Sequence, residues 1–314
     1  HNDDIDIVLS DLKFEAQNGD IDALFYYGQI LLNLNDSSFQ SKGNAVKYIK
    51  EAADKGNAKA NLRYGEILYN GNGVKVNKRE ASKYFKFAAD QGKKKAMYYY
   101  GKMLYEGNSI VKDSKKGLSY IQKSADLGCS DAISFYGQLI YEGKIADKDK
   151  RESVKYFQEA AELDDPVSLL YYGNMLLQGE FVERNKEKGI DFIKKSVELG
   201  NAEASLKYGL MLLEGVEIPE NKKQAAIYLK KSADQGNEEA ILKYSKMLIK
   251  GNGIQADTKE ASVYLKMLAD QGNAEAMYEY GLLLLSNEDC FSAEKAEKYF
   301  KESAAIGNAN SMCE

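Results

Sequence analysis

Residues 60–92 read ANLRYGEILYNGNGVKVNKREASKYFKFAADQG. The Tyr64-Gly65 pair in this stretch returns along the whole chain. Tyr27, Tyr64, Tyr100, Tyr136, Tyr172, Tyr208, Tyr244 and Tyr280 are each followed by Gly or, once, by Ser245. The first interval is 37 residues and the other six are 36. Self-similarity at a period of 20–50 residues marks a solenoid, whose repeats bury their apolar faces against one another.

Two helices fit into each period. In the quoted stretch, helix A runs from about residue 58 to 70 and helix B from about 78 to 91, with Gly71-Asn72-Gly73-Val74 between them. Counting from the tyrosine as position 0, position −4 is Ala or Ser, +1 is Gly, and +3 and +4 are aliphatic. At ~100° per residue these positions span an arc of roughly 220°, so helix A is covered on several sides. A glycine inside a helix costs about 1 kcal/mol relative to Ala. Its return at +1 predicts a helix crossing too close for a Cβ.

Helix B carries aromatic–apolar pairs followed by small residues, as in Tyr84-Phe85 with Ala88-Ala89. Asn77, Asp113, Asp149, Asn185, Asn221 and Asp257 stand where an N-cap belongs, with Ser41 and Ser292 in the end repeats. Glu80, Glu152 and Glu260 three residues later predict capping boxes. Gly56, Gly92, Gly128, Gly200, Gly236, Gly272 and Gly307 predict helix-B C-caps, with Asp164-Asp165-Pro166 as the exception.

The chain has 314 residues, 44% hydrophobic and 29% charged, with 2 Pro and no Trp. This is the composition of a folded chain. A net charge of −5 argues against a general nucleic-acid grip. No apolar run reaches the length of a membrane span. Cys129, Cys290 and Cys313 fall at unrelated repeat positions, forming neither a metal-ligand spacing nor a disulfide framework. So few thiols fit a reducing, cytoplasmic compartment, while Asn35-Asp36-Ser37 matches the glycosylation pattern of a secretory one. His1 is the only histidine, so no triad or histidine metal site is expected. The Gly-x-Gly loops lack the Lys-Ser/Thr of a phosphate loop. Catalytic residues, metal and cofactor are expected to be none.

Ala60, Tyr64-Gly65, Leu68, Gly71-Asn72-Gly73-Val74, Asn77, Ala81, Tyr84-Phe85, Ala88-Ala89 and Gly92 resemble the Sel-1-like repeat family, and Gly251-Asn252-Gly253-Ile254 repeats the loop. The resemblance covers about residues 5–314. Relative to that family, Tyr64 and Leu68 are exchanged, and the loop Gly143-Lys144-Ile145-Ala146 departs from the pattern. The resemblance implies an all-α, right-handed α-α superhelix related to tetratricopeptide repeats, with roles as an adaptor in signalling or protein quality control. A cysteine-rich branch linked to penicillin binding and β-lactam hydrolysis is the enzyme alternative, but its paired cysteines are missing here. A repeat-type nucleic-acid binder is a further alternative.

One solenoid over residues 1–314 is expected: a lone helix at 5–18, eight helix pairs over about 21–307, and the start of a further repeat at 308–314. The natural chain is expected to continue past Glu314 or to self-associate through its solenoid ends. Helix A leaves a polar stripe at −5, −1, +2 and +6, expected on the concave face. Tyr99, Phe135 and Tyr171 at −1, beside Lys102, Gln138 and Asn174 at +2, suit an extended protein or peptide partner. Lys207, Lys243 and Lys246 continue this candidate partner site as a basic end.

Overall fold

The computed structural model describes residues 2–34, 39–145, 148–286 and 292–307. Among them all regular structure is helical and there is no strand, as expected. The chain divides into two compact units, His1–Leu163 and Asp164–Glu314. The first holds α1 (Asn2–Gln17), α2 (Ile21–Asn33), α3 (Phe39–Asp54), α4 (Ala58–Asn70), α5 (Lys78–Asp90), α6 (Lys94–Glu106), α7 (Ser114–Asp126), α8 (Ser130–Tyr141) and α9 (Ser153–Glu162). The second holds α10 (Pro166–Gln178), α11 (Lys186–Glu198), α12 (Ala202–Glu214), α13 (Lys222–Ala233), α14 (Glu238–Lys250), α15 (Thr258–Asp270), α16 (Ala274–Ser286) and α17 (Ala293–Ala305). From α2 onward the even-numbered helices are the A helices, and each packs on the odd-numbered helix that follows it.

The glycine at +1 does what its recurrence predicts. A Cβ on Gly65 would stand 2.7 Å from the Phe85 ring, one on Gly209 2.9 Å from Leu229, and one on Gly281 2.6 Å from Phe300. The helix-B residue at this crossing is Ile49, Phe85, Ile121, Phe157, Ile193, Leu229 or Leu265, each fully buried. Burying such a side chain contributes about 1.5–3 kcal/mol. In the α6–α7 and α10–α11 pairs helix B also brings a glycine to the crossing. A Cβ on Gly117 would lie 2.5 Å from the Tyr105 amide nitrogen and 2.6 Å from the Gly101 carbonyl oxygen.

The recurring tyrosine has a partner that the sequence period alone does not name. In every repeat its ring meets an aromatic ring of its own helix B edge-on. The pairs include Tyr64–Tyr84 at 4.7 Å and 89°, Tyr172–Phe192 at 5.2 Å and 65°, and Tyr244–Tyr264 at 5.5 Å and 90°. Edge-to-face geometry sets the positive ring edge against the negative face and adds about 0.5–1.5 kcal/mol per pair beyond area burial. The outer tyrosine also reaches back one repeat. Tyr84 donates its hydroxyl to Asp54 at 2.9 Å and Tyr299 to Asp270 at 3.0 Å, and Tyr264 donates to Asp234.

The expected N-caps accept backbone amides at Asn77, Asp113, Asp149, Asn185, Asn221, Asp257 and Ser292. α3 begins at Phe39, ahead of the expected cap position 41, and the Ser41 side chain lies outside the described residues. A reciprocal capping box forms only at Asp149–Glu152, over a 3-10 turn (Lys150–Glu152) that leads into α9 in the repeat whose loop departs from the pattern. Glu80 takes a bond from the Asn77 side chain rather than from its backbone amide. Glu260 is drawn to Lys230 and the Tyr244 hydroxyl. The helix-B glycines all have positive φ, and Asp164 (φ 60°) takes the same left-handed conformation where glycine is missing. Asn35-Asp36-Ser37, Cys290, Cys313 and the restart at 308–314 lie outside the described residues.

Candidate partner-binding surface

The stripe of the first unit is built from α4, α6 and α8. Tyr99 stacks on Phe85 of the preceding repeat, with centroids 4.7 Å apart and planes at 11°. Tyr69, at +5 of α4, approaches Tyr99 to 5.9 Å. One repeat on, Tyr105 and Tyr98 meet Phe135 at 6.2 and 6.1 Å. The rule is that a +5 aromatic of one repeat meets the −1 aromatic of the next. Tyr69, Tyr98 and Tyr105 thus join a cluster for which the −1 stripe alone accounts only in part; aromatics spaced 30 residues apart were the signal. All five rings are half-buried. Burial, reinforced by nearby carboxylates, pushes the Tyr98 phenol far above its ordinary range, and burial likewise raises Tyr99.

Charged groups thread through these rings. Lys102 lies over the Phe135 ring at 4.8 Å and stands 3.9 Å from Glu106. Arg63 donates to Gln29 at 3.2 Å and pairs with Glu66 at 3.2 Å, and Lys95 reaches Glu66 at 3.1 Å. The Gln138 amide donates to Ser134 at 3.5 Å. Tyr99, Lys102 and Phe135 are therefore brought together, but they also hold successive repeats against one another.

In the second unit Tyr171 is half-buried on α10. Asn174, one turn along α10, has a buried side-chain oxygen with no hydrogen-bond partner. Lys207 borders a hollow beside α12, and Lys243 is exposed on α14. The expected basic end is narrower than the sequence implies, because Lys246 pairs with Glu275 at 2.8 Å and Glu279 at 3.1 Å. Among the described residues there is no His/Cys/Asp/Glu group able to hold a metal ion, and no helix long and apolar enough to cross a membrane. Cys129 is buried and unpaired.

The Sel1 repeat model matches eight consecutive segments, 21–57, 58–93, 94–129, 130–165, 166–201, 202–237, 238–273 and 274–308. No curated protein matches the sequence. Among solved structures, a Sel1 repeat protein from Oxalobacter formigenes is 24% identical, with a TM-score of 0.63 over 98% of this chain and 91% of its own. The protective antigen c5321 of uropathogenic Escherichia coli is 23% identical, with a TM-score of 0.56 over 96% of this chain and 73% of its own. Immunity protein Pa5087 from Pseudomonas aeruginosa is 22% identical, with a TM-score of 0.50 over 68% and 81%. These likenesses concern the fold. The eight matched segments coincide with the eight helix pairs, their crossings at +1 (glycine in seven, Ser245 in one) and their edge-on aromatic pairs, and the chain belongs to the Sel1 repeat family.

Proposed function

We propose that this chain is a non-catalytic scaffold that docks a peptide or protein partner on the surface of its A helices. Sel1 repeat proteins are in general protein–protein interaction scaffolds. The observation that carries the proposal here is the contrast between positions. The crossing and pairing positions repeat one chemistry throughout, whereas −1 and +2 change from ring to amide to cation and stay partly exposed. In the first unit the half-buried rings of Tyr99 and Phe135, with Lys102 beside them, offer rigid apolar area next to a cation. Such rings commonly anchor interfaces. Gln138 belongs to this candidate surface of the first unit, and Tyr171 and Asn174, with Lys207, Lys243 and Lys246 as a basic end, make the corresponding candidate surface of the second.

The test uses the intact chain as bait, with captured proteins identified by mass spectrometry and then titrated singly. Phe135→Ala with Tyr171→Ala should weaken a true partner by about 2 kcal/mol or more. Lys102→Ala should act less, and its effect should shrink at high salt. Circular dichroism should show the fold retained. A partner that binds the double variant as tightly as wild type would refute this surface.

A further inference from the structure

A second feature lies wholly within the second unit. A hollow of about 220 Å³ opens beside α10 and α12, with Leu177, Leu210, Met211 and Val216 among its lining. Leu210 stands at +2, where the other repeats mostly place polar residues. Val216, in the turn after α12, is 57% exposed. An apolar cavity of about 150 Å³ is enough to take up a benzene molecule. This hollow therefore has room for one aliphatic side chain.

Among the described residues its rim carries one unpaired charge of each sign, and a second unpaired cation stands one repeat on. Glu217 is already held by Arg184 at 3.0 Å and Lys186 at 3.5 Å. Among the described residues no carboxylate pairs with Lys207 on the rim, nor with Lys243 at the same position one repeat on. Glu214 is the one carboxylate of the lining without a cation among the described residues. Beyond Lys243 the stripe turns neutral to acidic, because Glu275 and Glu279 hold Lys246. Two cations in successive repeats beside an apolar hollow complement a ligand with one aliphatic residue and acidic neighbours.

We infer that this hollow is the anchor point for an acidic peptide segment: a Leu, Ile or Met side chain fills it while carboxylates of flanking residues pair with Lys207 and Lys243. The assignment rests on the scaffold reading, but not on the aromatic cluster of the first unit. It places the acidic part of the ligand over α12 and α14, short of Glu279.

The experiment pans a random twelve-residue phage-displayed peptide library on the intact chain. The best binder is then made with a fluorescein label and titrated by anisotropy. Enriched peptides should share one aliphatic residue with at least two Asp or Glu within four positions. Leu210→Glu should weaken the labelled peptide by about thirtyfold or more. Val216→Glu, at an exposed site that leaves the packing intact, should weaken it about tenfold. Lys207→Ala should cost about fivefold at low salt and little at high salt. A library that yields neutral or basic sequences, or a peptide that binds Val216→Glu as well as wild type, overturns the assignment. Peptides lost with Phe135→Ala but kept with Val216→Glu overturn the hollow and leave the scaffold reading standing. A library with no binders at all overturns both.

Discussion

Gly117→Ala adds a single methyl group, and the expected sign of its effect runs against helix propensity. Ala45, Ala81, Ala225, Ala261 and Ala296 occupy the same position in other repeats, so the sequence alone would recommend the change. Propensity would credit Ala with about 1 kcal/mol. The crossing of α6 and α7 says otherwise. The new Cβ would lie 2.5 Å from the Tyr105 amide nitrogen, 2.6 Å from the Gly101 carbonyl oxygen and 2.9 Å from the Tyr105 Cα. These are backbone atoms that cannot rotate away. To reach about 3.4 Å the helices must part by roughly 0.8 Å, which loosens Ile121 and the Tyr100–Tyr120 pair, and overpacking of this kind costs about 1–3 kcal/mol. After the propensity gain, a net loss near 1 kcal/mol is expected. Gly43→Ala is the matched control, because its Cβ meets only the Gly73 carbonyl oxygen at 3.5 Å. That change should stabilise by about 0.5–1 kcal/mol. Urea melts followed by circular dichroism would read both, and amide exchange in α6 and α7 would localise the first. If Gly117→Ala proves neutral or stabilising like its control, close backbone contact at this crossing does not limit stability.

Gly137→Leu, whose Cβ would meet the Tyr156 Cβ at 3.0 Å and Phe157 at 3.3 Å, should destabilise by about 1–3 kcal/mol or more, and a melt showing no loss would contradict this. Tyr264→Phe keeps the edge-on contact with Tyr244 but removes the bond to Asp234; with Asp234 exposed, the loss should lie near the lower end of about 0.5–1.5 kcal/mol, and Asp234→Ala combined with it should add little in a double-mutant cycle. Burial, helped by neighbouring carboxylates, raises the phenols of Tyr64, Tyr84 and Tyr264, the last to about 12. Unfolded tyrosines ionise near pH 10, so the folded chain holds protons there that the unfolded chain releases. Stability from these groups should be complete below pH 10 and fall as pH rises through 10 towards 12. Phenolate absorbance measured beside circular dichroism checks this, and a simple titration centred at pH 10 with the fold intact would refute it.

Much of the fold was legible because steric rules act within a few residues. Gly at +1, the Asn or Asp before helix B and the glycine after it each state a local geometry, and the period shows that the statement is repeated. Glu260 misled for the opposite reason. Whether a side chain caps its own helix or bonds a neighbour depends on what lies alongside, and Lys230 lies beside Glu260. The A-helix caps went unread although Asp20, Asn57, Asp165, Asn201, Asn237 and Asn273 share one position. The candidate site was legible as a stripe but not as a surface. Position −1 borders the apolar arc, and only three-dimensional packing reveals that Tyr99 lies flat on Phe85 while Lys243 stays in solvent.

The same stripe carries different chemistry in the two units. In the first, the cations and amides are largely committed to neighbours, from Gln29 through Arg63 and Glu66 to Lys95. A partner there gains chiefly from ring area, since displacing an existing ion pair returns little net energy. In the second unit Lys207 and Lys243 lack such neighbours among the described residues, and Leu210 and Val216 expose apolar surface beside the first of them. Charge there can act at a distance, guiding an acidic ligand before any contact forms. Salt should therefore slow association with the second unit more than ring-dominated binding on the first, where only the smaller Lys102 contribution is screened. That difference follows from pairing alone: a charge already neutralised by a fixed neighbour has no long-range field left to be screened.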